Sequence, residues 1–142
     1  MTIQIESITV NDYKVHDQLP EMVGKTVTFD ISINNLVTGS ELQQEVILCE
    51  VSVRLIEAES GLELVTFKSN NFYNVPGLTA VLISYPDDSV KIPEEIIEVI
   101  ARVSIGNVRG ILFERLSTTI LNKMLLPVIE YGDLTVSIPT DQ

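Results

Sequence analysis

The chain has 142 residues, 45% of them hydrophobic and 20% charged, which favours one soluble globular domain with a real core. Twenty acids against nine lysines and arginines leave a formal charge of −11. That balance argues against nucleic acid and anionic membrane as partners, because both are bound through clustered positive charge.

Cys49 is the only cysteine and His16 the only histidine. No intramolecular disulfide can form, and a histidine–cysteine zinc site within one chain is nearly excluded. Cys49 lies in an alternating apolar run, as a small buried hydrophobe does, whereas His16 lies in a polar turn region. No uncharged apolar run approaches the ~20 residues of a membrane span. Met1–Glu6 lacks a basic region followed by an apolar core, so no signal peptide is expected and a cytoplasmic location is.

Four segments alternate as half-buried strands do. The first runs from Ile3 to Val15, and its alternation slips between Ile5 and Ile8, which predicts a bulge. Pro20 and Gly24 mark the loop that follows. The second strand, Thr26 to Leu36, places Val27, Phe29, Ile31 and Ile33 on one face and Thr28, Asp30, Ser32 and Asn34 on the other. One dry and one wet face point to an antiparallel sheet.

Thr38-Gly39-Ser40 is a turn. The third strand, about Gln44 to Ala58, puts Ile47, Cys49, Val51, Val53 and Leu55 on one side. Glu59-Ser60-Gly61 is short enough for a hairpin into the fourth strand, Leu62 to about Phe72, which ends at Pro76-Gly77. Leu78 to Tyr85 reads either as a short strand or as a helix start.

The stretch from Pro93 to Pro127 is the part that reads as a long helix, and it ends in an apolar run from Ile120 to Ile129. Pro93 is predicted at the first helical position, with Glu94 and Glu95 complementing the positive helix end. Ile97, Ala101, Ser104, Val108 and Ile111 recur at helical spacing, flanked by Ile96, Ile100, Val103 and Leu112. Apolar groups thus span more than one stripe, which predicts a helix with two covered sides. Gly106 and Gly110 inside it read either as close packing against another backbone or as a kink. Residues 135–142 read as an added strand or a loose tail of the single domain 1–142.

No phosphate-cradling glycine loop, Gly-x-Ser-x-Gly or metal-ligand cluster is present in the sequence. Neither Asp87-Asp88 nor Glu94-Glu95 is spaced as an acid–base pair. The chain therefore reads as a protein that is not an enzyme and needs no cofactor. What remains is apolar surplus: Phe72, Tyr73, Val75 and Leu78 beside a proline-glycine, and Ile120, Leu121, Met124, Leu125 and Leu126 after the helix. Such a surplus on loops predicts subunit contacts or a groove for another chain's apolar segment.

These features resemble the SecB export chaperones. Ile5 to Asp12 looks like the family's first strand, and Asn71-Phe72-Tyr73-Asn74-Val75-Pro76-Gly77-Leu78 is similar to its Gly-Ile-Phe-x-Ile-x-Gly-Ile segment. Ser104 to Leu112 looks like the helix of SecB-like proteins, and Leu121 to Ile129 is similar to the crossover loop. The resemblance spans roughly residues 3 to 134. It implies an α+β fold, with a SecB-like four-stranded antiparallel sheet packed against one long C-terminal helix. It also implies a homodimer or homotetramer that holds unfolded polypeptides or preproteins without nucleotide and passes them to SecA.

Carried onto this sequence, the groove residues are Phe72, Tyr73, Val75, Ile120, Leu121, Met124 and Leu125, and the partner-docking residues are Asp12 and Leu64. Three departures set the chain apart. The family's second helix is missing, because Thr135-Val136-Ser137-Ile138-Pro139 does not read as helix. His16 and Thr66 stand where the docking face would carry acids, and Thr118 replaces a glycine. A SecB-like protein dedicated to one partner, such as an antitoxin or a phage factor, is the alternative reading.

Overall fold

The computed structural model describes residues 2–36, 44–87, 90–122 and 135–137. Its elements run β1 (Gln4–Val15), β2 (Val27–Leu36), β3 (Val46–Glu57), β4 (Glu63–Asn74), α1 (Leu78–Val81), β5 (Ile83–Ser84), β6 (Val90–Lys91), α2 (Glu94–Leu116) and β7 (Thr135–Ser137).

The main sheet has the order β1-β4-β3-β2-β7. Its first four strands are antiparallel, and β7 joins β2 in parallel. This is the α+β arrangement expected, with residues 135–137 extending the sheet by a fifth strand. Antiparallel neighbours β2, β3 and β4 follow one another by short connections, and Gly61 supplies the positive φ of +73° at the β3–β4 turn.

The slip predicted between Ile5 and Ile8 is a register shift between Ile5 and Ser7, and a second falls between Val10 and Asp12. A third lies across β3 and β4, where Leu55 pairs with Val65 but Ile56 pairs with Glu63. Leu64 is the extra residue of that bulge. Consecutive Leu64 and Val65 are consequently both buried, which strict alternation would forbid.

Alternation sorts the rest of the sheet. Ile47, Cys49, Val51, Val53 and Leu55 of β3 lie buried with Phe67, Ser69, Asn71 and Tyr73 of β4. Helix α2 covers this face through Ile97, Ile100, Ala101, Ser104, Val108 and Leu112. At its far end, Arg115 stacks over the Tyr13 ring at 5.0 Å from the centroid, so the helix reaches β1 there.

Two helix expectations need correction. Pro93 is the residue before the helix, with extended ψ of 138°, and Glu94 is the first helical residue. Its fixed φ still suits helix entry, and its carbonyl accepts from the amides of Ile96 and Ile97. At the other end α2 stops at Leu116, where Ser117 and Thr119 hydroxyls bond the carbonyls of Glu114 and Leu116 in a run of turns.

Gly106 and Gly110 lie in unbroken helix. Among the described residues neither approaches another backbone, because none lies within 4 Å of where a Cβ would stand. Residues 78 to 85 contain both structures considered for them, a helical turn and then a two-residue strand paired with β6.

Candidate functional site

The structure divides the apolar candidates. Tyr73, Val75 and Leu121 are sealed inside the subunit, each at most 1% exposed. Tyr73 stays buried because its hydroxyl meets the Ser104 hydroxyl of α2 at 2.6 Å. Leu121 folds back over the helix end, its amide donating to the Thr119 hydroxyl at 3.0 Å. These side chains build the core rather than line an open groove of the subunit. Phe72 is partly buried on the opposite sheet face, where its register partners are Leu48 and Ser7. Ile120 projects outward, 59% exposed. Met124 and Leu125 lie outside the described residues.

Sequence reasoning allowed a short strand within residues 78–85 but missed its pairing with β6. Val81, Ile83, Tyr85 and Val90 stand between 37% and 48% exposed on this β5–β6 ribbon and on the turn of helix before it. Two-residue strands carry no measurable alternation, so periodicity could not have found them. A two-stranded ribbon alone is marginally stable in water, and this one shows apolar side chains to solvent. A further exposed pair, Ile5 and Ile8, lies on edge strand β1. Of the two covered sides expected for the helix, the sheet covers one, and on the other Val99, Val103 and Phe113 are exposed.

The docking candidates part in the same way. Leu64 is fully buried by its bulge and offers no side chain to a partner. Asp12 lies on the outer sheet face, opposite Lys68 in the β1–β4 ladder. Both line a shallow cavity of about 330 Å³ with Asp30, Ser32, Ser52 and Arg54. Arg54 there binds Asp30 and, at 2.8 Å, Glu63. The cavity walls carry charges of both signs beside Val53 and Phe67.

Under the helix lies a buried polar seam. The Asn71 amide donates to the Cys49 carbonyl at 3.2 Å and to the Ser69 hydroxyl at 3.3 Å. The Asn107 amide of α2 donates to the Asn71 side-chain oxygen at 3.5 Å. Burial pushes the Cys49 thiol up from 9.0 to about 11 and the Tyr73 phenol up from 10.0 to about 12. Both groups are therefore neutral at physiological pH, and the seam fixes where the helix sits on the sheet.

Two consequences follow from those shifts. Iodoacetamide at pH 8 should leave Cys49 unmodified in the folded chain and label it fully in urea, since the thiolate is the nucleophile. Stability should hold below pH 9 and fall as pH rises from 9 towards 11. Over that window the unfolded thiol loses its proton while the folded one keeps it, so the unfolded state binds fewer protons. Labelling followed by mass spectrometry and urea melts at several pH values check both.

Among the described residues no group of three or more His, Cys, Asp or Glu could hold a metal ion, and no helix is long and apolar enough to cross a membrane.

No family model matches the sequence, and no curated protein matches it. Solved structures do. One is the Mycobacterium tuberculosis Rv1957 SecB-like chaperone in complex with a ChAD peptide from the Rv1956 HigA1 antitoxin. It matches over 89% of this chain and 90% of its own, at 12% identity and a TM-score of 0.55. Another is a protein of unknown function from Streptococcus agalactiae, at 15% identity over 92% of this chain and 98% of that one, with a TM-score of 0.44. At such identity the likeness to Rv1957 is one of fold. The sheet order, the long helix and the near-complete coverage of both chains together make this a chain with the fold of a SecB-like chaperone.

Proposed function

We propose that this protein is an ATP-independent holdase that binds apolar segments of unfolded polypeptides or preproteins, working as a homodimer or homotetramer. The observation that carries the reading is the set of large apolar side chains left outside the core of the described residues: Val81, Ile83, Tyr85, Val90 and Ile120. Apolar side chains exposed together mark a contact surface. Phe72, partly buried on the outer sheet face, and Met124 and Leu125, outside the described residues, stay proposed client contacts on the resemblance alone.

The chemistry suits the task. Apolar contacts are non-directional, so a client is recognised by composition and not by sequence. At ~25 cal/mol per Å² of apolar area, a few hundred Å² covered gives several kcal/mol before ordering costs. That corresponds to reversible, roughly micromolar binding. The charge of −11 keeps client-loaded assemblies apart in solution.

Handover to SecA has weaker support. Of the two docking residues only Asp12 reaches the surface, and Lys68 opposes it. A dedicated partner is the second reading, favoured by the antitoxin peptide held by the Rv1957 protein.

Light scattering separates these. A substoichiometric to equimolar amount of the protein, without ATP, should suppress aggregation of two or three unrelated chemically denatured proteins as they are diluted from denaturant. Suppression of none of them, with the protein itself folded, would leave only the dedicated-partner reading.

A further inference from the structure

We propose that β7 is an autoinhibitory strand: residues 135–137 hold the edge of β2 against an extended segment of another polypeptide and give it up when that segment binds. This rests on the polypeptide-binding part of the reading above and adds to it a resident competitor within the chain.

Strand β2 is the less covered side of the sheet, because helix α2 packs on β3 and β4. On the inner face of β2, Ile33 is fully buried, whereas Val27, Phe29 and Ile31 are only partly buried. Every residue of β2 pairs with β3 on one side. On the other side β7 pairs with Ser32, Ile33 and Asn34 alone. Among the described residues, the backbone of residues 27–31 therefore has no strand beside it on that edge. An unpaired edge next to apolar side chains is a template for one more strand.

Strand β7 shows what such a strand looks like. Its register sets Thr135 against Ser32, Val136 against Ile33 and Ser137 against Asn34, polar with polar and apolar with apolar. It is also a weak occupant. It has 3 residues, where β1 to β4 have 10 or 12. Its pairing is parallel, the less stable kind per residue. An incoming segment that runs the length of β2 makes more ladder bonds than β7 does and covers Val27, Phe29 and Ile31 besides. Exchange therefore favours long segments of alternating polarity and disfavours short or polar ones. An unfolded chain supplies the two things the edge asks for, free main-chain groups and apolar side chains at every second position.

Two full-length variants test this, read by the fluorescence anisotropy of a labelled, permanently unfolded polypeptide. In Val136→Pro/Ser137→Pro, one of the two lost N–H groups belongs to the β7–β2 ladder, because neighbouring N–H groups in a strand alternate in direction. This variant should bind about tenfold more tightly than the native chain, since a closed edge no longer lowers the apparent affinity. In Ser32→Cys/Thr135→Cys, the two positions are register partners, and neighbouring strands lie about 5 Å apart, within reach of a disulfide. Cys49 is buried, with its thiol pushed up to about 11, and stays out of the reaction. The oxidised pair should bind about tenfold more weakly than the native chain, since its edge stays closed, and dithiothreitol should restore native affinity. Both variants should keep the native circular dichroism, because β7 adds only 3 residues to the sheet.

Equal Kd values for the native chain, the proline variant and the oxidised pair would overturn the proposal and leave the holdase reading standing. A bridge that fails to form, or that joins two copies, would also overturn it. Binding by the proline variant with none by the native chain would support it. No binding by any of the three would overturn the holdase reading and this proposal together.

Discussion

Tyr73→Ala is expected to lower the unfolding free energy of the subunit by about 3–5 kcal/mol, as for other large-to-small changes in cores. Domains of this size hold only about 5–15 kcal/mol in total, so the urea midpoint should drop by about 2 M or the chain should fail to fold. The cause is local. Tyr73 is 1% exposed between β1, β3 and the helix, and its hydroxyl is the partner of Ser104. Tyr73→Phe keeps the ring and isolates the hydroxyl. Its loss should be smaller, about 1 kcal/mol, which is the net worth of a typical buried hydrogen bond. Equilibrium urea melts followed by circular dichroism measure both. If Tyr73→Ala melted like the native chain and lost client binding, Tyr73 would be a groove residue and its buried position here would be wrong.

The second expected result is the mirror of the first. Ile83→Ser, Tyr85→Ser and Val90→Ser together should weaken binding of an unfolded client ten- to a hundredfold while leaving the urea midpoint nearly unchanged. Each side chain is close to half exposed and makes few contacts to lose, so the stability change should be within about 0.5 kcal/mol apiece. Fully burying a large apolar side chain is worth about 1.5–3 kcal/mol. Covering the exposed half of each is worth roughly 1 kcal/mol, and the three together give the stated range after ordering costs. Fluorescence anisotropy of a labelled, permanently unfolded polypeptide gives the Kd. An unchanged Kd would remove the ribbon from the binding surface.

These paired results turn on what the sequence could and could not disclose. The alternation of β2 and β3 was legible because one face is dry and the other wet over ten or more residues: Ile33, Val51 and Val53 are buried, and Asp30 and Arg54 are exposed or partly so. The slip after Ile5 was legible as a break in that alternation. The long helix announced itself by spacing and by Glu94 and Glu95.

Three features were hidden, each for a physical reason. The bulge at Leu64 depends on pairing with β3, which a single strand does not encode. The ribbon strands are too short for a period. The division between core and surface among Phe72, Tyr73, Val75, Ile120 and Leu121 depends on how much interior the helix and sheet enclose. An apolar residue near a turn reads the same whether it closes the core, as Leu121 does, or stands outside it, as Ile120 does.

Methyl NMR of the protein titrated with a permanently unfolded, apolar-rich polypeptide tests the central claim most directly. Resonances of Val81, Ile83, Val90 and Ile120 should shift progressively and saturate, while those of Ile33, Val51, Ile100 and Val108 stay in place. Shifts confined to the second set, or none in either set at millimolar polypeptide, would contradict the account.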